Sequence, residues 1–200
     1  MITLILSIII TIVSIQAFGK REIIAKYSFS PYAIKHRNEW YRFFTHIFIH
    51  ADWIHLIINL FVFYQFGNII EEYLHAIFGV KGYYYYLLLF IGGAVFSVLT
   101  TFKKYQENYL YQGVGASGGV SAILFAYLLF QPMSSLCLYG LLCLPGIVWG
   151  VFYLVYSYFM AKKQLDYINH EAHFWGAVFG IVFIIIIYPK VIYIFLSSFS

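Results

Sequence analysis

Residues 83–102 read Tyr-Tyr-Tyr-Tyr-Leu-Leu-Leu-Phe-Ile-Gly-Gly-Ala-Val-Phe-Ser-Val-Leu-Thr-Thr-Phe, twenty consecutive positions without a charge. A helix needs about 20 apolar residues to cross a bilayer core about 30 Å thick. The stretch therefore predicts a transmembrane helix. Comparable charge-poor stretches lie at 2–18, 53–70, 114–131, 136–159 and 168–188. The expectation is an all-α integral membrane protein, one six-helix domain over residues 1–200. Composition agrees: the 200 residues are 62% apolar, 22% aromatic and only 10% charged, where soluble domains carry roughly 25% charge. Disordered and collagen-like chains are excluded. So is a nucleic-acid-binding domain, since the net charge is only +4 and its Lys and Arg are scattered.

The first stretch reads as a retained helix stopped by Gly19-Lys20-Arg21, because no positive region precedes Ile2 and no clean cleavage site follows. Residues 19–52 form the longest connection and mix six Lys and Arg with many aromatics, which suits a segment lying in the interface. Cys137 and Cys143 share one apolar stretch and read as packing residues rather than a disulfide. The first, third and fifth loops hold ten of the 12 Lys and Arg, so the positive-inside rule alone puts those loops in the cytoplasm.

Polar groups at membrane depth point to function by default. Asp52 is a candidate N-cap, followed by His55 and Asn59, which lie four apart and so on one helical face. The fourth span opens Gly113-Val114-Gly115-Ala116-Ser117-Gly118-Gly119-Val120-Ser121, and the sixth carries His170-Glu171-Ala172-His173, then Gly176 and Gly180. Even-numbered spans all start from the same side of the membrane. Counting spans therefore puts His55, Asn59, Ser117 and His173 in one leaflet at shallow depth.

A serine hydroxyl needs a base to become a nucleophile, and His is the usual base near neutral pH. Glycines around Ser117 let backbone and substrate approach, and a helix N-terminus offers N–H groups and positive dipole to a developing oxyanion. His55 and Asn59 can add hydrogen bonds to that oxygen. Blander readings exist for each residue. Gly115 and Gly119, or Gly176 and Gly180, can simply pack helices. Asn59 can be interhelical glue, and His46 and His50 structural hydrogen-bond partners. His170-Glu171-Ala172-His173 is one residue short of the zinc-protease motif, though His46, His50 and His170 could form a separate zinc site. No metal or other cofactor is expected. A transport role is disfavoured because span centres lack buried charge.

Gly115-Ala116-Ser117-Gly118 resembles the rhomboid G-x-S-G motif. Ala172-His173 with Gly176 and Gly180 resembles that family's A-H-x-x-G-x-x-x-G, and His55 with Asn59 its H-x-x-x-N. Glu39, Arg42, Thr45, His46 and His50 resemble the first-loop pattern of bacterial members. The likeness spans about residues 36–188. It implies an intramembrane serine endopeptidase that cleaves transmembrane segments of membrane proteins. Ser117 would be the nucleophile, His173 the base, and His55 and Asn59 oxyanion donors. Glu39 and Arg42 would brace the first loop. Span five, with a bend at Pro145-Gly146, and residues 160–169 would gate and cap the site. Partners would be the bilayer and transmembrane substrates. The resemblance also implies a cytoplasmic N-terminus, opposite to the loop-charge count, in a bacterial inner membrane. The alternative is a weak or inactive relative that binds transmembrane clients. One departure is plain. Some members carry a Tyr four residues after the nucleophile, stacked on the catalytic His, and here that position is Ser121.

Overall fold

The computed structural model describes residues 1–138, 141–163 and 168–200. In chain order the elements are α1 (Ile2–Ala17), α2 (Arg21–Tyr27), α3 (Pro31–Arg37), α4 (Arg42–Thr45), α5 (Trp53–Phe78), α6 (Lys81–Ser97) and α7 (Leu99–Tyr105). They continue with α8 (Ser117–Phe130), the strands β1 (Ser135–Leu138) and β2 (Leu142–Pro145), then α9 (Gly146–Lys163), α10 (His170–Ile187) and α11 (Val191–Ser197). Among the described residues, Trp53–Phe78, Lys81–Tyr105 and His170–Ile187 are long and apolar enough to cross a membrane. The helices α1 and α8 are apolar but shorter.

Helix α8 is the core. Ten of its 14 residues are buried, with α5, α6 and α10 packed around it and α1 packed on α5. Apolar side chains have no hydrophobic reason to pair in lipid, so close backbone approach through small residues must hold such a bundle. The glycines show where. A Cβ on Gly176 would lie 2.2 Å from the Gly118 carbonyl oxygen, and one on Gly180 2.2 Å from that of Ala122. A Cβ on Gly119 would lie 2.5 Å from the Phe90 carbonyl oxygen. Two turns of α10 thus lie directly on the α8 backbone, while α6 packs against both helices. Large apolar side chains such as Ile57, Phe61, Phe152 and Phe159 are left exposed on the outer faces, where lipid covers them.

Two expectations need correction. The second span runs eight residues beyond position 70, to Phe78, because Glu71 is no loop residue. Its buried carboxylate accepts the backbone N–H groups of Ile2 at 2.7 Å and Thr3 at 2.9 Å, the Thr3 hydroxyl at 2.8 Å and the Met1 ammonium at 2.8 Å. Those N–H groups open α1 and have no partner within their own helix, so a carboxylate there is satisfied rather than exposed.

The stretch 136–159 is not one helix either. β1 and β2 form an antiparallel hairpin that pairs Cys137 with Cys143, and the two are joined as a disulfide. Both cysteines are exposed, so they are not packing residues. Pro145 ends β2 and Gly146 begins α9, which removes the expected mid-helix bend. The Trp149 indole N–H donates to the Leu136 carbonyl at 2.9 Å and ties the hairpin to α9. Residues 139 and 140 of that stretch lie outside the described residues.

Candidate active site

The segment ahead of α8 is held by the first loop at three successive points. Phe29 and Gly113 exchange two backbone hydrogen bonds, at 2.8 and 2.9 Å. The Gly115 N–H donates to the His46 carbonyl at 2.9 Å, and the Ala116 N–H reaches His50 Nε2 at 3.5 Å. Since Nε2 accepts there, His50 Nδ1 carries the proton and donates to Ser14 Oγ at 2.9 Å, while Ser14 Oγ donates to the Phe48 carbonyl at 3.0 Å. His46 donates through Nδ1 to the Arg42 carbonyl at 2.9 Å. The two histidines therefore serve as scaffold for Gly115 and Ala116.

Arg42 is buried, ion-paired with Glu39, and donates through Nη1 to the carbonyls of Ala25 and Ser28, both at 2.8 Å. Partial burial alone would raise the Glu39 pKa, but the Arg42 guanidinium holds it below the usual carboxylate value. These contacts fold α2 and α4 into one platform.

Burial pushes His46 down to about 4. Burial and the neighbouring His55 push His50 down to about 3. Both are neutral in the folded protein, whereas an unfolded histidine titrates near 6.5. The unfolded chain thus binds more protons below that value, so stability is full above about pH 6.5 and declines toward pH 4, by at most ~1.4 kcal/mol per pH unit per histidine. Melting temperatures in detergent should fall over that range, and His46→Gln should flatten the slope. An unchanged slope would mean that His46 is not held neutral.

Gly115 has φ +114°, a conformation that side-chain-bearing residues rarely adopt, and a Cβ there would meet His55 Cε1 at 2.6 Å. Its conformation turns the chain so that α8 begins at Ser117 itself. No side chain caps that helix start among the described residues. The His55 ring thus lies against the backbone just before Ser117, edge-on to His50 with centroids 4.9 Å apart. Asp52 caps α5, accepting the His55 N–H at 2.8 Å. Asn59 is buried and lines a narrow crevice with Ala116 and Val120. One of its amide protons is committed to the His55 carbonyl at 2.9 Å, leaving the other for a ligand.

From the opposite side comes α10. Asn169 caps it, accepting the Ala172 N–H at 3.0 Å and donating to Thr101 Oγ1 and the Tyr111 hydroxyl at 3.1 and 3.2 Å. That sets the helix start, His170, three residues before His173. The contact of Gly176 on Gly118 lies one turn beyond His173 and one residue beyond Ser117. The imidazole is flanked edge-on by His170, with centroids 5.8 Å apart. Its face is covered by Tyr153 of α9, with centroids 6.0 Å apart and an interplanar angle of 16°. The Tyr153 hydroxyl lies 2.6 Å from Ser121 Oγ. Neither Tyr153, Ser14 nor Asn169 stood out in sequence, because a tyrosine among 20 or a hydroxyl in an apolar helix carries no local signal. Of the expected cap at 160–169, residues 164–167 lie outside the described residues. Among the described residues, no three His, Cys, Asp or Glu side chains are grouped to hold a metal ion.

A family model described as the Rhomboid domain matches residues 37–190. The chain is 30% identical to Rhomboid-like protein 11, chloroplastic, of Arabidopsis thaliana, over 72% of this chain and 51% of that protein. It is 28% identical to RHOMBOID-like protein 12, mitochondrial, of the same plant, over 66% of this chain and 42% of that protein. It is 27% identical to Presenilin-associated rhomboid-like protein A, mitochondrial, of Danio rerio, over 68% of this chain and 35% of that protein. The chain thus spans half the length of these relatives or less. Their chloroplast and mitochondrial designations lend no support to the expected bacterial inner membrane.

Proposed function

This chain belongs to the rhomboid family, and we propose that it is an intramembrane serine endopeptidase cleaving transmembrane segments, built as a six-span membrane domain with a cytoplasmic N-terminus. Ser117 Oγ attacks the scissile carbonyl carbon while His173 takes its proton. The oxyanion forms beside the first-turn N–H groups of α8, His55 and the second amide proton of Asn59. His173 returns the proton to the leaving amine, and water then hydrolyses the acyl-enzyme by the same route in reverse. The observation that carries this reading is the start of α8 at Ser117, without a side-chain cap, one residue from the backbone contact that seats α10. Helix α9 is the side by which a substrate helix enters.

The test is reaction of detergent-purified protein with a fluorophosphonate probe, which labels activated serines. A labelled wild type supports the endopeptidase. An unlabelled but folded protein would instead favour a binder of transmembrane clients.

Two further outcomes are expected. Asn59→Ala removes one oxyanion donor and no nucleophile, so labelling should slow by on the order of 10²-fold without being lost. An unchanged rate would remove Asn59 from the oxyanion site. A helical substrate also hides its scissile bond behind backbone hydrogen bonds, and Pro weakens a helix interior by ~3 kcal/mol. Peptide spans with Pro or Gly near the cut should be cleaved roughly 10–100-fold faster than polyleucine spans. Equal rates would refute the need for unwinding.

A further inference from the structure

Ser121 lies one helical turn after Ser117, on the same face of α8. A tyrosine at that position would stack on His173, but a serine side chain is too short to do so. The ring over the imidazole comes instead from α9. Tyr153 lies nearly parallel to His173, and its hydroxyl meets Ser121 Oγ at 2.6 Å. Phe125 of α8 packs on the same tyrosine, with centroids 5.7 Å apart. Tyr153 is therefore clamped between a hydroxyl and a ring of the nucleophile's own helix, and in turn presents its flat face to His173.

We propose that Tyr153, fixed by Ser121, is the positioning residue for His173, and that the dyad is assembled only while α9 is seated on α8. The inference rests on the reading of Ser117 and His173 as the reacting pair. An imidazole can turn about its outer bond, and a broad flat neighbour restricts that rotation. The hydroxyl pair fixes the neighbour. α9 packs mainly on α10 and touches α8 at few points, and of its 18 residues only Gly146, Gly150 and Ser157 are buried. A Cβ on Gly150 would lie 2.7 Å from Leu128 Cδ1, so the close approach to α8 is one turn from Tyr153. Displacing α9 sideways carries the ring off His173 and takes the base out of alignment. A tyrosine at position 121 would stay with α8 if α9 moved, whereas Tyr153 leaves with α9.

The test compares labelling of full-length protein by the fluorophosphonate probe across variants, separating the maximal labelling rate from the probe concentration at half-maximal rate. Tyr153→Leu should lower the maximal rate by at least about tenfold and leave the half-saturating concentration unchanged. Tyr153→Phe, which keeps the ring but loses the hydroxyl that holds it, should slow labelling by about threefold, and an unchanged rate would remove Ser121 from the device. Ser121→Ala should match Tyr153→Phe, and the two together should be no slower than either alone. Ser121→Tyr introduced into Tyr153→Leu moves the ring back to α8 and should recover most of the lost rate, an outcome that mere repair of packing would not give. If Tyr153→Leu labels as fast as wild type, or if it is slow and Ser121→Tyr fails to recover it in a protein with wild-type melting temperature, the inference is wrong while the dyad stands. If wild-type protein does not label at all, the dyad reading fails and this inference falls with it.

Discussion

Ser117→Ala should give no covalent adduct with a fluorophosphonate and no cleavage of any transmembrane peptide, in a protein that elutes and melts as wild type does. The side chain loses only its hydroxyl at the first position of α8, so the fold has no reason to respond. His173→Ala leaves the nucleophile but not its base, and labelling should drop by roughly 10²–10⁴-fold. The double variant should be no worse than Ser117→Ala, because the two groups act as a unit and their effects do not add. Substantial labelling of Ser117→Ala would move the reactive serine elsewhere and overturn the assignment.

Gly176→Ala should do comparable damage by a different route. Its Cβ would sit 2.2 Å from the Gly118 carbonyl oxygen and 2.9 Å from the carbonyl carbon, both backbone atoms that cannot rotate away. The helices must separate by about 1 Å, and a displacement of that size at the reacting groups costs on the order of 10²-fold in rate. Overpacking itself destabilises by about 1–3 kcal/mol. Gly180→Ala makes the same collision with the Ala122 carbonyl, one turn further from His173. It should lower the melting temperature equally and the labelling rate less. If both variants lost only stability, the α8–α10 contact would be architecture without a bearing on the dyad.

The ends of the apolar stretches were readable wherever charge and helix limit coincide. α1 ends at Ala17 against an expected 18, and α10 runs 170–187 against 168–188. Reading failed where a polar residue is satisfied out of sight. Glu71 marks a loop to anyone counting charges, and only the fold reveals α1's N–H groups as its partners. It failed too where an apolar run is not a helix, since hydropathy cannot tell Leu136 in a strand from Leu128 in a span. Within the candidate site, the residues proposed to react stood out from their own motifs: Gly115 and Ser117 from the glycine cluster, His55 and Asn59 from their spacing. Tyr153 was not. Its role is a contact between helices, 20 positions from His173 and 32 from Ser121, and no local pattern encodes which ring will face which imidazole.

The length of α8 has a consequence for where a substrate is cut. Fourteen residues at 1.5 Å each reach about 21 Å, some 9 Å short of a bilayer core about 30 Å thick. A placement with Phe130 level with one boundary would put Ser117 about that far beneath the other, while α5, at 26 residues, is long enough to pass through both. In the proposed endopeptidase the short helix would act as a depth gauge, selecting a bond by how far below the surface the membrane holds it, so adding one helical turn of apolar residues to that end of a substrate should shift the cleavage point along the chain by a turn.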